Sequence, residues 1–326
     1  MSIKRICTHN GAFHADESLA VWMLKVLPAY KNASVSRSRD PEVWDQADIV
    51  VDVSGQYDGK RLFDHHQRGF NEVLEPFTTK LSSAGLIYKH FGREVIQQLL
   101  SNHGGNQLST SDMNVLYNRI YEHFIQALDA NDNGINVYPE EVKPLIPTSA
   151  ITLPGIVSSL NPAWNGDQTD AAQNAMFFQA SELMGKAFES RTVYYGLAWL
   201  PARSLVKEAL QAAAESSTPA ILQLSKAMPW KEHLFDLEQE LVPEVKPIYV
   251  VYPDSGGSWR VQAVPTGPDT FESRKALPEP WRGVRDEDLS SLTGVPGCIF
   301  VHASGFIGGA KTNKSALQLA TMALDM

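Results

Sequence analysis

Acidic and imidazole side chains recur at four stations in the first 132 residues: His9-Asn10-Gly11-Ala12-Phe13-His14-Ala15-Asp16, then Asp52, then Asp64-His65-His66, then Asp129-Ala130-Asn131-Asp132. Each station follows or borders an apolar stretch, so each can sit at the end of a buried element. Mixed imidazole and carboxylate donors suit hard-to-borderline divalent cations such as Mn2+, Mg2+ or Zn2+. Four such stations converging on one point would form a two-metal centre that activates water for hydrolysis.

Each station also has a plainer reading. His9, His14 and Asp16 fit a loop leaving a strand, with three side chains turned inward. Asp16 also lies near the start of the following helix, whose dipole favours an anion, so it could equally be a cap. Asp52 ends the apolar run Ile49-Val50-Val51, and a carboxylate buried there needs a partner. A bridge between two cations meets that need, although an aspartate after a strand is common in loops. In Asp64-His65-His66, one imidazole can ligate, one can face substrate, and the Asp can orient an imidazole. Asp129 closes a helix whose apolar face includes Phe124, Ile125 and Leu128. A helix C-terminus disfavours an anion, which leans toward a metal partner.

The elements that must position these groups alternate in type, and the pattern predicts a parallel sheet flanked by helices. Strands are expected over 4–8, 34–38, 49–53 and 61–63. Helices are expected over 15–27, ended by Pro28, and over 83–91 and 94–100. Ser111 or Asp112 would cap a further helix running to about Asp129. Residues 133–165, rich in Pro, Gly and Asn, read as irregular, and 170–191 as one long helix. The second half mixes a helix over 204–215 with strands over 248–252, 259–264 and 298–302, and closes with a helix over 314–324. The expected fold is α/β: a first domain over 1–190, including a linker helix at about 170–190, and a smaller α/β domain over 191–326.

In that second half, His302-Ala303-Ser304-Gly305-Phe306-Ile307-Gly308-Gly309-Ala310-Lys311-Thr312 follows a strand and leads into a helix. Glycines there would let backbone approach a phosphate. The segment is not a Walker A loop, because Ala310 stands where a glycine must precede Lys311 and little chain follows. A simple tight turn is the competing reading. Arg203, Lys231, Arg282 and Lys311 are cationic candidates for phosphate contact, and Phe306 for stacking on a base.

Composition narrows the classes. The 326 residues are 43% hydrophobic and 20% charged, as in a globular protein. Cys7 and Cys298 stand alone, which argues against a disulfide framework or a zinc ribbon and fits a reducing compartment. A net charge of −9 argues against broad nucleic-acid binding. No apolar run approaches the ~20 residues that span a bilayer. The chain enters its first strand at once, with no presequence before His9, so an intracellular protein is expected.

The strings THNGAFHADE, FDHHQRGF, TKLSSAGLIY, LDANDNG, WLPAR, WRGVRDEDL and VHASGFIGGAKT together resemble the DHH phosphoesterase superfamily and, within it, the eukaryotic MYG (melanocyte-proliferating gene) family, formerly called metal-dependent protein hydrolases. The resemblance covers essentially the whole chain. It implies a DHH-like metal-binding domain and a DHHA1-like substrate-binding domain, and a 3′–5′ exonuclease of single-stranded RNA located in nucleus, nucleolus or mitochondria. It further implies that His9, His14 and Asp52 hold one ion and that Asp16, Asp52, His65 and Asp129 hold the other. Asp52, Asp64, His65 and His66 would form the catalytic group, with His66 facing the substrate phosphate. Arg203, Arg282, His302, Ser304, Gly305, Gly308, Gly309 and Lys311 would grip the strand. The superfamily usually has Asp where this chain has His14, and a neutral ligand there shifts preference toward Mn2+ or Zn2+ over Mg2+. Two other functions stay open: hydrolysis of small phosphates such as short oligonucleotides, cyclic dinucleotides or pyrophosphate, and a metal-stabilised scaffold without activity.

Overall fold

The short apolar runs of the first 65 residues become one sheet in the computed structural model, which describes residues 3–139, 141–142, 145–146, 149–241 and 244–326. After β1 (Arg5–Thr8), helix α1 (Ala15–Val26) crosses to β2 (Ser34–Arg37). The one-turn α2 (Pro41–Trp44) then leads to β3 (Ile49–Val51), followed by β4 (Leu62–Phe63). All neighbours pair in parallel, in the order β2-β1-β3-β4. Ile6, Cys7, Ile49, Val50, Val51 and Phe63 are fully buried, as parallel strands covered on both faces require. Because the strands run one way, His9, Asp52 and Asp64 each leave the carboxyl end of a neighbouring strand, the edge where open α/β sheets carry their sites.

Helices complete this unit. α3 (Ser83–Asn102) is one unbroken helix where the sequence suggested two; it passes through Gly92, which packs against the rings of Tyr88 and Tyr117. A lone glycine costs a helix only about 1 kcal/mol, so packing overrides it. α4 (Thr110–Ile120) starts earlier than expected, because Ser109 is the cap and accepts from the Asp112 amide at 3.0 Å. A π-helical turn, Tyr121–Ile125, joins α4 to α5 (Gln126–Asp132). The stretch expected to be irregular over 133–165 contains α6 (Leu153–Leu160), begun by the Thr152 cap and Pro154; residues 140, 143–144 and 147–148 of that stretch lie outside the described residues. α7 (Asp170–Tyr194) is the long helix. α1 packs against both α3 and α7, burying Leu19, Met23 and Leu24 with Leu86, Ile87, Met184 and Phe188.

The chain divides into two compact units, Met1–Ala198 and Trp199–Met326. In the second, α8 (Leu200–Ala214), β5 (Ile221–Gln223), α9 (Lys231–Leu241), β6 (Tyr249–Pro253), β7 (Trp259–Ala263), α10 (Asp286–Thr293), β8 (Cys298–Val301), β9 (Ile307–Ala310) and α11 (Asn313–Asp325) follow in order. The mixed sheet has the order β5-β6-β7-β9-β8, with only β5 and β6 parallel. Tyr249, Val251 and Val261 bury against Leu319 and Ala320 of α11. Leu222 and Val250 face the other way, onto Val206 and Leu210 of α8 and Leu234 of α9. β5, α9, α10 and β9 had no counterpart in the sequence reading.

Truncating Leu19 to Ala removes a fully buried side chain from the α1 interface, so Leu19→Ala should lose about 2–5 kcal/mol of unfolding free energy. Val137→Ala, at an exposed position, should stay within about 0.5 kcal/mol in the same denaturant titration.

Candidate metal centre

At the carboxyl edge of the first sheet, the donor atoms of His9, His14, Glu17 and Asp52 gather within 4.8 Å of one another. Two further sets, Asp52 with His65 and His66, and Asp16 with His65 and Asp132, meet the same condition. Asp52 belongs to the first two sets and His65 to the last two.

Asp52 is delivered by a backbone device. β3 stops at Val51, and Asp52 takes φ = 58°, the left-handed region that non-glycine residues rarely enter. Its amide still donates to the Phe63 carbonyl at 3.0 Å. The turn sends its two oxygens to different neighbours. Oδ2 lies 3.4 Å from His9 Nε2. Oδ1 lies 3.6 Å from His65 Nε2 and 3.3 Å from His66 Nδ1, and accepts from the Ser83 hydroxyl at 2.9 Å. Burial alone would raise the Asp52 carboxyl, but hydrogen bonds from His66 and His9 outweigh it and hold the group far below the usual carboxylate range.

The histidines are oriented by groups behind them. His9 Nδ1 faces the Asn10 carbonyl at 3.1 Å. A carbonyl can only accept, so Nδ1 carries the proton and Nε2 turns toward Glu17 at 3.2 Å and Asp52. Burial works against a charged His9 ring, yet its bonds to Asp52 and Glu17 push it up to about 10. A proton thus stands where a cation would bind, and the two compete. For His65, Asn133 does the orienting. Its amide nitrogen donates to the Lys80 and Asp129 carbonyls, which turns its oxygen to His65 Nδ1 at 3.2 Å. His65 Nε2 then faces Asp132 Oδ2 at 2.9 Å in a geometry that makes no hydrogen bond, and a cation would join the two. Asp16 makes the same demand: it is 1% exposed, no N–H or O–H of the described residues donates to either oxygen, and its side-chain neighbour is another acid, Glu17. Burial first, then the charges of Asp52, Asp132 and Glu17, push its carboxyl well up. Orphaned buried carboxylate oxygens beside convergent imidazoles fit divalent cations.

Asp64 is a clamp. Oδ2 accepts from the Gly55 amide at 2.7 Å, while Oδ1 accepts from the His66 amide at 3.0 Å and its ring Nδ1 at 2.8 Å. His66 is held from behind while its side chain remains 63% exposed. Its bond to Asp52, opposed by burial and helped by Asp64, pushes the ring up to about 9.

Asp129 is not brought into these sets. It lies against the start of α3, where Oδ1 accepts from the Ser82 amide at 2.9 Å and hydroxyl at 2.8 Å, and Oδ2 from the Tyr121 hydroxyl at 3.0 Å. Burial pushes its carboxyl up to about 7 against those bonds. The helix N-terminus supplies the partner that the sequence reading assigned to a metal. The fit is tight: a Cβ on Gly85 would fall 2.4 Å from Asp129 Oδ1, so glycine is required there. Asp132, one turn on, takes the position beside His65. The sequence reading also left out Glu17, whose carboxylate accepts from the His14 amide at 2.8 and 3.0 Å. An acid three residues after a helix cap is its sequence signal.

The second-unit candidates divide. Arg203 is committed to Asp236 and Glu240. Arg282 Nε donates to the Leu277 carbonyl at 2.9 Å. Residues 305–312 do not form one glycine loop: His302–Phe306 is the turn of a hairpin, with Gly305 at φ = 75°, and Gly308 and Gly309 lie buried in β9. A Cβ on Gly309 would meet Arg260 Nη1 at 2.7 Å and the Phe300 ring at 2.9 Å, so that glycine serves strand packing. Exposed on this unit are His302, Ser304, Phe306 and Lys311, with the His302 ring bonded to the Ser304 hydroxyl at 2.9 Å. Lys231 opens α9. Among the described residues no helix is long and apolar enough to cross a membrane.

Comparisons with known proteins agree with the sequence strings. A family model named MYG1_exonuc, described as an uncharacterised protein family (UPF0160), matches residues 5–324. A MYG1 protein of Schizosaccharomyces pombe is 52% identical over 326 residues, covering 99% of this chain and 98% of its own. A MYG1 protein of Saccharomyces cerevisiae is 49% identical over 327 residues, covering 98% and 96%. A human protein named MYG1 exonuclease is 47% identical over 333 residues, covering 99% and 86%. No solved structure matches the chain.

Replacing Asp16 by Asn removes a buried acid that repels Asp52, Asp132 and Glu17. The metal-free Asp16→Asn protein should therefore melt higher than the parent, by an amount worth roughly 1 kcal/mol or more, while the upward shift that saturating Mn2+ gives the parent shrinks or vanishes. Asn133→Ala should weaken Mn2+ binding about 10- to 100-fold in a calorimetric titration.

Proposed function

The chain belongs to the MYG1 family (UPF0160), and on that premise we propose that it is a divalent-metal-dependent exonuclease that hydrolyses single-stranded RNA from the 3′ end. The observation that carries this reading is the cation-seeking cluster around Asp52, in a chain whose relatives named exonucleases match 99% of its length. The residues suited to hold two ions are His9, His14, Glu17 and Asp52 on one side, and Asp16, Asp52, His65 and Asp132 on the other. Divalent cations there supply Lewis-acid polarisation of the phosphoryl group and an activated water. Three imidazoles among four carboxylates make a mixed donor set that suits a borderline cation, Mn2+ first, with Mg2+ or Zn2+ as alternatives.

The side chains divide the remaining work. Ser83 and the strained turn fix Asp52, so its oxygens need no reorganisation during reaction. His66, backed by Asp64 and open on its outer side, donates to a phosphate oxygen. Asn133 keeps His65 in the tautomer that offers Nε2. We assign the first unit as the DHH-like catalytic domain and the second as a DHHA1-like substrate-binding domain, with His302, Ser304 and Lys311 as its available contacts.

The test incubates 5′-labelled single-stranded RNA with the protein and Mn2+, beside Asp52→Ala, His65→Ala and an EDTA control. A one-nucleotide ladder is expected, slowed about a hundredfold or more in either variant and absent with EDTA. Cleavage of dinucleotides alone would favour the small-phosphate reading, which the net charge of −9 also suits. Absence of metal-dependent cleavage of any phosphate ester would sink both.

A further inference from the structure

Beside the cluster, the first unit holds a cavity of about 320 Å3 with Asp52 and His66 at its metal-facing end. Leu128 and Pro154 give it apolar lining, and the exposed side chains of Asn131 and Ser158 add an amide and a hydroxyl. An apolar wall with a few polar groups is the usual make-up of a small-molecule site, and this volume lies at the small end of the ~300–1,000 Å3 range.

We infer that this cavity, with α6 as one wall, is a subsite for a single unpaired nucleoside attached to the reacting phosphate, and that it excludes a base-paired end. The inference rests on the nuclease reading for its phosphate and on the cavity for the rest. What adjoins a phosphate held at Asp52 and His66 is a sugar and a base. A cavity at the small end of the range for small-molecule sites suits one such group, and a base pair brings a second base that must be placed as well.

The wall is fixed in advance. Asn161, just beyond α6, accepts from the Phe13 amide at 2.9 Å and donates to the Phe13 carbonyl at 2.9 Å. This two-point tie joins the end of α6 to the loop that carries His9 and His14. Val157 adds a fully buried anchor. These contacts fix where α6 stands relative to that loop. Asn131 and Ser158, from α5 and α6, are the groups positioned to hydrogen-bond the sugar or base. α5 also carries Asp132, so one helix serves both metal and nucleoside.

Two measurements test this on the Mn2+-loaded full chain. In calorimetry, adenosine 5′-monophosphate should bind the parent. Ser158→Trp, which fills the cavity, should weaken that binding tenfold or more while its melting temperature and Mn2+ stoichiometry match the parent. Asn131→Ala, which removes only an exposed amide, should weaken it about two- to tenfold and serves if Ser158→Trp fails to fold. In the nuclease assay, the parent should digest a blunt duplex end at least tenfold more slowly than the same strand unpaired. Equal nucleotide affinity in the parent and a folded Ser158→Trp would overturn the subsite, as would equal rates on paired and unpaired ends. Nucleotide binding blocked by Ser158→Trp, in a protein that cuts no phosphodiester, would support the subsite and discard the nuclease reading instead.

Discussion

Asp16 and Asp52 bury their carboxylates side by side at the edge of a parallel sheet, with Asp132 close behind, and like charges taken out of water repel strongly. Everything near them acts on that repulsion. His9 is drawn toward a bound proton, His66 leans on both Asp52 and Asp64, and Ser83 donates to the most crowded oxygen. None of these reaches Asp16, to whose oxygens no N–H or O–H of the described residues donates. The left-handed turn at Asp52 adds a backbone cost of order 1–3 kcal/mol. A fold selected for stability alone would have replaced these groups with hydrocarbon. Divalent cations would remove the repulsion at its source and turn a destabilising cluster into a binding site.

The geometry of the supporting shell follows from the same demand. A cation needs lone pairs, so each imidazole must place its proton on the far nitrogen. Asn10 and Asn133 do this for His9 and His65 with oxygens that can only accept. Asn133 is itself fixed by two carbonyls, one of them from Asp129. Asp129 therefore acts at one remove, tying α5 to the start of α3 through Ser82.

Much of this was legible in the chain. The parallel α/β pattern came from alternating apolar runs and helical periods, and His9, His14, Asp16, Asp52 and His65 stood at the ends of those runs. The division of labour between Asp129 and Asp132 was not legible: they lie three residues apart on one helix, and the sequence does not say which faces the cluster and which faces the amide of Ser82. Glu17 was hidden because an acid in a first helical turn ordinarily caps. α6 was missed because Pro and Gly dominate its surroundings, although Pro154 sits where a helix accepts it, in the first turn. Gly308 and Gly309 suggested a phosphate loop, but strand packing against Arg260 and Phe300 also demands bare backbone. Local composition cannot separate these two uses of glycine.

The central claim is that the cluster around Asp52 holds two divalent cations. Anomalous diffraction from crystals grown with Mn2+ measures this directly. Two peaks are expected, both in contact with Asp52, one beside His9 and the other beside His65 and Asp132. No peak at the cluster, or manganese bound only at Asp129 or elsewhere on the chain, would contradict it.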